Sequence, residues 1–241
     1  MKRLVYLPVL LTQIVVLECC RQNTTSASPD LAYGTTLIYE EDLSRSTDMK
    51  GTRVTLEGES LETSTDSAGK WIIWNPPHHP FTVAVSRPGY GTNKFEVREY
   101  DGGEVSNVGL PLYHEPLYTV SSIQVSIAGD SIAVSGSPTT EPSYRHWYFL
   151  YFGKTPPLSN NPSTWLGSVG TIRVIEGETG FHAWTTRSSL LTEGVQSNDT
   201  VHVAVFSGSS TYSGYFMQSA AKYVVTTGIS SVPKRTMFVL P

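Results

Sequence analysis

Residues 51–58 read GTRVTLEG, and this stretch decides how the chain is built because its apolar and polar residues alternate one by one. In an extended chain, Val54 and Leu56 point to one side, and the charged and hydroxyl-bearing residues around them point to the other. A period of two residues is typical of a strand that buries one face and exposes the other. We therefore predict a half-buried β-strand here.

The same period recurs through the first half of the chain, in FTVAVS (81–86) and NKFEVRE (93–99). Turn-forming clusters such as TDSAG (65–69) and RPGYG (87–91) separate these runs. The chain of 241 residues holds 20 Gly, 15 Pro and 13 Tyr, which favours strands and turns over helices. These patterns predict an all-β fold of two tandem β-sandwich domains.

The order of four pieces in the first half resembles a carboxypeptidase regulatory-like domain. The pieces are GTRVTLEG, TSTDSAGKWIIW, PFTVAVSRPGY and FEVREYDGGEVSNVGLPL, and the matching positions are Val54, Leu56, Gly58, Thr65, Asp66, Gly69, Trp71, Gly89 and Tyr90. The resemblance implies a transthyretin-like β-sandwich over residues 32–115, an accessory domain without catalytic residues. Asp66 is expected to accept backbone N–H bonds in a turn, which Gly69 completes with a positive φ.

The strand KWIIWN (70–75) breaks the alternation, because both of its faces are apolar. One of the pairs Trp71/Ile73 and Ile72/Trp74 enters the core. The other packs against a neighbouring strand or the second domain, or it forms an exposed patch. Trp74 is therefore a candidate for stacking on a sugar or for binding a partner.

A second series of strands begins near Tyr118. Its best-matching part is NDTVHVAVFS (198–207), followed by a loop and SAAKYVVTT (219–227). Short strands with regularly spaced turns predict a second sandwich. Residues 118–241 resemble a fibronectin type III or immunoglobulin-like module.

Two segments of this second half are predicted to be loops. KTPPLSNNPSTW (154–165) ends in Trp165, and SGSSTYSGYFMQ (207–218) is rich in Tyr, Ser and Gly. That second composition recurs in adaptable binding loops, where Tyr gives a large contact area at a small entropic cost. The candidate binding residues are Trp165, Tyr212, Tyr215 and Phe216; the alternative is an ordinary hairpin loop with one buried aromatic residue.

The N-terminus combines Met1-Lys2-Arg3 with a mostly apolar run, Leu4 to Leu17, that is too short to span a membrane. The sequence LECC (17–20) that closes it resembles a bacterial lipobox, which implies that Cys20 carries lipid. Glu18 departs from the usual small residue. We therefore predict a signal peptide at 1–19 and a flexible tether at 20–31; the alternative is a plain secretory signal.

Composition and motifs exclude several functions. A net charge of −4 argues against a nucleic-acid partner. The sequence contains no H-E-x-x-H, no G-x-S-x-G and no phosphate-binding glycine loop. We therefore predict no catalytic residues, no metal site and no cofactor, and the protein is not expected to be an enzyme.

The sequence predicts a lipoprotein of the bacterial cell envelope, anchored to the outer membrane rather than the inner one, with secretion as the alternative. Two β-sandwiches on an anchor suggest a protein-interaction or spacer module whose partner is another envelope protein. The second hypothesis is a carbohydrate-binding accessory protein that uses exposed aromatic residues on a polysaccharide. Both hypotheses are analogies at the level of the fold, which hosts many functions.

Overall fold

The structure is a computed structural model, and it describes residues 29–142, 144–159, 164–166, 171–174, 179–217 and 222–241. The side chains of Val108, of residues 171–174 and 215–217, and of Lys222 are outside this description. The predicted signal peptide (1–19), the lipidation site Cys20 and most of the predicted tether (20–31) also lie outside the described residues. The described part is all-β, apart from one short helix.

The first unit is a sandwich of two sheets. One sheet has the order β4-β1-β7 and the other has the order β3-β2-β5-β6. The strands are β1 Leu31–Tyr39, β2 Arg53–Leu56, β3 Glu62–Ser64, β4 Lys70–Trp74, β5 Phe81–Arg87, β6 Gly91–Val97 and β7 Glu104–Tyr113. The alternation in residues 51–58 predicted strand β2 correctly, because Val54 and Leu56 are buried and Arg53 is exposed.

The core of this unit lies between its two sheets. Strands β1, β4 and β7 contribute apolar side chains from one side, and β2, β5 and β6 contribute them from the other. Strand β1 pairs antiparallel with β4 and parallel with β7. The register of the parallel pair shifts by one residue at Thr35/Thr36, opposite Gly109, whose positive φ accommodates the bulge.

The second unit also has two sheets. One has the order β12-β9-β8, and the other has the order β11-β10-β13-β14 with β15 paired to β13. The elements are β8 Val120–Ala128, β9 Ser131–Pro138, β10 His146–Gly153, β11 Thr171–Val174, β12 Phe181–Thr186, the helix α1 Arg187–Thr192, β13 Thr200–Met217, β14 Lys222–Ile229 and β15 Lys234–Val239. The sequence alternation therefore predicted the all-β class of both halves.

Strands β10 and β13 are buried on both faces. Tyr148, Leu150 and Phe152 point into the space between the two sheets. Phe149 and Tyr151 point to the opposite face, where they join a further apolar cluster. Central strands that are covered on both sides read as continuous apolar runs, and the sequence of β10 has this property.

Strand β13 is 18 residues long, and it extends well beyond its own sandwich. The segment 207–218 was predicted to be a loop, and this prediction was wrong for residues 207–217, which continue the strand. We call residues 209–217 together with β14 the arm. The arm contacts strands β6 and β7 of the first unit, where the Nδ2 atom of Asn93 donates to the Oγ of Ser213 at 3.2 Å.

No helix in the described ranges is long and apolar enough to cross a membrane.

The contact between the arm and the first unit depends on Gly91. Gly91 has a φ of +75°, and a Cβ added to it would collide with the backbone oxygen of Thr226 in the arm. We therefore expect Gly91→Ala to displace the arm. Urea unfolding of Gly91→Ala should show a loss of stability about 1–3 kcal/mol larger than that of a control with the same backbone strain.

The matched control is Gly58→Ala, because Gly58 has a φ of +84° and no atom within 4 Å of an added Cβ. Both variants place an alanine in the left-handed backbone region, which is strained, but only Gly91→Ala adds the collision with the oxygen of Thr226. Equal losses of stability in the two variants would contradict the proposed role of the contact.

Candidate functional site

The outer side of the sheet β4-β1-β7 carries an exposed apolar patch, which we call the Trp74 face and define as Leu31, Tyr33, Ile72 and Trp74. Leu31 lies opposite Trp74, and Tyr33 lies opposite Ile72, in the antiparallel pairing of β1 with β4. The exposed fractions are 55% for Trp74, 45% for Ile72 and 37% for Tyr33. The other pair in β4, Trp71 and Ile73, is buried in the core.

Polar residues border the Trp74 face. In the parallel pairing of β1 with β7, Glu104 lies beside Leu31 and Ser106 lies beside Tyr33. Both residues are exposed, as is Lys70 at the start of β4. An apolar centre with a polar rim is the usual anatomy of a protein-binding surface.

Asp30 holds together the chain segments at one end of this face. Its backbone oxygen accepts from the N–H of Asn75 at 2.9 Å, directly after Trp74. Its Oδ1 accepts from the N–H of Gly103 at 2.6 Å, and its Oδ2 lies 2.6 Å from the Nε2 of His78. The bond from Gly103, followed by the contact with His78, holds the pKa of Asp30 below its usual value. Asp30 thereby ties the start of β1 to the neighbouring ends of β4 and β7.

A cleft lies where the two units meet. It has a volume of about 340 Å³ and is lined by Glu40, Glu41, Asp42, Ser44, His114, Leu117 and Tyr144. Two of its carboxylates already accept hydrogen bonds: Glu40 from the hydroxyl of Tyr90 at 2.8 Å, and Glu41 from the N–H of Leu117 at 3.3 Å. Burial and the bond to Glu40 raise the pKa of Tyr90 to about 12. Glu40 is therefore engaged within the first unit, and Glu41 joins the segment between β7 and β8 to that unit.

The described ranges contain no group of three His, Cys, Asp or Glu residues that could hold a metal ion.

Among the predicted binding residues of the second unit, Trp165 is buried and Tyr212 is half-buried. Trp165 is only 6% exposed; its ring lies 4.1 Å from that of Tyr151, and its Nε1 donates to the oxygen of Ser159. Tyr212 packs edge-on against Trp147 and Phe149. Their aromatic faces are therefore used in packing. Tyr215 and Phe216 belong to strand β13, but their side chains lie outside the described part.

Trp184 was not among the predicted binding residues, although it is 73% exposed on the edge strand β12. The sequence GFHAWTTR (180–187) contains the pattern that could have identified it, because Phe181 and Ala183 alternate with His182 and Trp184. Phe181 is buried, so the alternation assigns Trp184 to the outer face.

No protein-family model matches the chain, and no curated protein matches its sequence. Solved structures similar to it include a proposed carbohydrate-binding protein from Bacteroides uniformis (12% identity, 88% of this chain and 100% of that one, TM-score 0.32). A DUF3823 family protein from Parabacteroides merdae shows 9% identity over 84% of this chain and 98% of that one, with a TM-score of 0.31.

A type II cohesin–X-dockerin complex from Acetivibrio cellulolyticus shows 17% identity and a TM-score of 0.31, over 36% of this chain. The match spans 58% of that chain. All three TM-scores lie below 0.5, so these likenesses carry no argument about the function of this chain.

The anchoring role of Asp30 gives a prediction with a defined pH dependence. Because its folded pKa is lowered, the carboxylate stabilises the fold above its unfolded pKa of about 3.9, and this contribution is lost as the pH falls through the folded pKa. Asp30→Asn should therefore be less stable than the wild type at pH 7, and the difference should shrink toward pH 2. Urea unfolding of both proteins between pH 2 and pH 7 measures this difference in the free energy of unfolding.

The control for this experiment is Asp101→Asn, because Asp101 is exposed and close in sequence to Gly103. It should change stability little at any pH. A difference between Asp30→Asn and the wild type that stays constant with pH would show that the charge of Asp30 does not stabilise the fold.

Proposed function

We propose that this protein is a non-catalytic lipoprotein of the cell envelope that binds a protein partner through the Trp74 face. The observation that carries the proposal is the exposure of Tyr33, Ile72 and Trp74 together on one sheet face. Trp and Tyr dominate the binding energy of protein interfaces when they lie at the centre and are surrounded by contacts that exclude water. Trp74 and Tyr33 are the aromatic residues of the Trp74 face, and Glu104 and Ser106 border it on the β7 side.

The composition of the face favours a protein over a polysaccharide as the occupant. Ile72 and Leu31 lie directly opposite the two aromatic residues, so aliphatic groups occupy half of the patch. Sugar hydroxyls placed over these groups would lose water without gaining a hydrogen-bond partner, which costs free energy. Apolar side chains of a protein partner would bury the same groups favourably.

We also propose a domain family for each unit. The first unit, at 32–115, is a carboxypeptidase regulatory-like sandwich, and the second, at 118–241, is a fibronectin type III or immunoglobulin-like sandwich. The turn at 65–69 supports the first part. The Oδ1 of Asp66 accepts from the N–H groups of Ala68 and Lys70, both at 2.8 Å, and Gly69 has a φ of +78°. This is the turn that the resemblance implies.

The proposed location rests on the sequence alone. Cys20 would carry the lipid, the tether at 20–31 would separate the sandwich from the membrane, and the outer membrane is the proposed site. Several acyl chains give firm anchoring, because each buried CH₂ contributes roughly 0.8 kcal/mol. A membrane anchor would keep the Trp74 face close to other envelope proteins.

The binding proposal predicts that Trp74→Ala loses the partner. In intact cells, a photo-crosslinking residue at position 72 should capture an envelope protein reproducibly, and Trp74→Ala should lower the yield by about tenfold or more, because a central Trp contributes ~2 kcal/mol. Trp184→Ala is the matched control, since it removes an exposed Trp from the other unit. Equal yields from Trp74→Ala and the wild type would refute the proposal.

The anchoring proposal predicts that Cys20→Ser abolishes lipidation. Metabolic labelling with an alkyne fatty acid should label the wild type, and Cys20→Ser should be unlabelled and absent from the detergent phase. Cys19→Ser is the control, because the proposed cleavage removes Cys19 with the signal peptide. Labelling that depends on Cys19 would move the site by one residue, and an unlabelled wild type would indicate plain secretion.

A further inference from the structure

The outer side of the sheet β12-β9-β8 carries no Asp, Glu, Lys or Arg within its three described strands. The register places Trp184, Ala133 and Ser126 in one row across the strands. The next row contains His182, Ser135 and Gln124. We call these six residues the Trp184 face. Because 16% of the chain is charged, a solvent-facing sheet without a charge is unusual for this protein.

Trp184 is the only large apolar side chain on this face. Its two neighbours in the row, Ala133 and Ser126, are small, so neither covers the ring. The row beside it offers an imidazole, a hydroxyl and an amide. None of these three side chains makes a hydrogen bond with another residue in the part of the chain that the structure describes. His182 and Gln124 are exposed, and Ser135 is half-buried.

The spacing of these groups follows from strand geometry. Neighbouring strands lie about 4.8 Å apart, and residues that share a face are about 6.8 Å apart along a strand. The six residues therefore cover about 10 Å across the strands and about 7 Å along them, which is comparable with one or two sugar units. An exposed ring beside hydroxyl and amide groups can stack on the apolar side of a sugar while its neighbours bond the sugar hydroxyls.

We propose that the Trp184 face binds a neutral polysaccharide, with one sugar ring stacked on Trp184 and its hydroxyls bonded by Gln124, Ser135 and His182. The missing charges argue for a neutral chain, because an acidic sugar would lose hydration without meeting a cation. A membrane surface fits poorly, since interfacial binding uses basic residues and several apolar ones. This site is independent of the Trp74 face and lies on the other unit.

Affinity electrophoresis of the full-length mature protein tests the proposal. The gels contain laminarin, amylopectin, galactomannan or hydroxyethyl cellulose as neutral probes, and polygalacturonate as the acidic one. We expect at least one neutral polysaccharide to retard the protein and polygalacturonate to have no effect. Trp184→Ala should weaken the affinity at least about tenfold, Gln124→Ala should weaken it less, and Trp74→Ala should leave it unchanged.

Three outcomes would overturn the proposal: no retardation by any neutral probe, retardation by polygalacturonate alone, or unchanged retardation of Trp184→Ala. Thermal unfolding of Trp184→Ala should match that of the wild type, because its side chain is exposed. Sedimentation tests whether the face binds a second copy of the chain instead. A dimer that Trp184→Ala abolishes, in a protein that binds no polysaccharide, would show that the Trp184 face is a dimer interface. Trp74→Ala distinguishes the two proposals, because it should lower the capture of the protein partner and leave the affinity for polysaccharide unchanged.

Discussion

The backbone pairing of strand β13 is the constraint on which the rest of the structure depends. Its first half pairs with β15 along one edge and with β10 along the other, and its second half pairs with β14. Tyr118, which lies between β7 and β8, donates from its hydroxyl to the oxygen of Gly208 at 2.7 Å. The same strand then reaches the first unit through Ser213. Strand β13 thus organises the second core through backbone pairing, and it connects that core to the first sandwich through side-chain contacts.

This arrangement leaves two outer sheet faces with different chemistry. The Trp74 face combines aromatic and aliphatic side chains, which suits the apolar groups of a protein partner. The Trp184 face has one aromatic ring among small and hydroxyl-bearing side chains and carries no charge. The arm occupies the side of the first unit formed by β6 and β7, so neither proposed face lies in the contact between the units.

The candidate site could be predicted only in part. The two apolar faces of KWIIW showed that one pair had to be exposed or covered, and the structure shows that Ile72 and Trp74 are the exposed pair. Trp165 could not be placed in this way, because its partner Tyr151 is distant in sequence and the contact depends on how residues 154–159 cover the sheet. A polar segment with aromatic residues has the same composition whether those residues bind a ligand or cover a core. Composition alone therefore does not distinguish the two roles.

The sequence by itself determined the all-β class and the positions of several strands. Where apolar and polar residues alternate, as in β2, it also determined which face is buried, because side chains alternate with a period of two residues. Only the tertiary structure decided which apolar faces stay exposed and whether residues 207–217 form a loop or a strand. Alternation is a local property of the chain. Coverage of a face and extension of a strand depend on partners that are far away in the sequence, and folding alone brings them together.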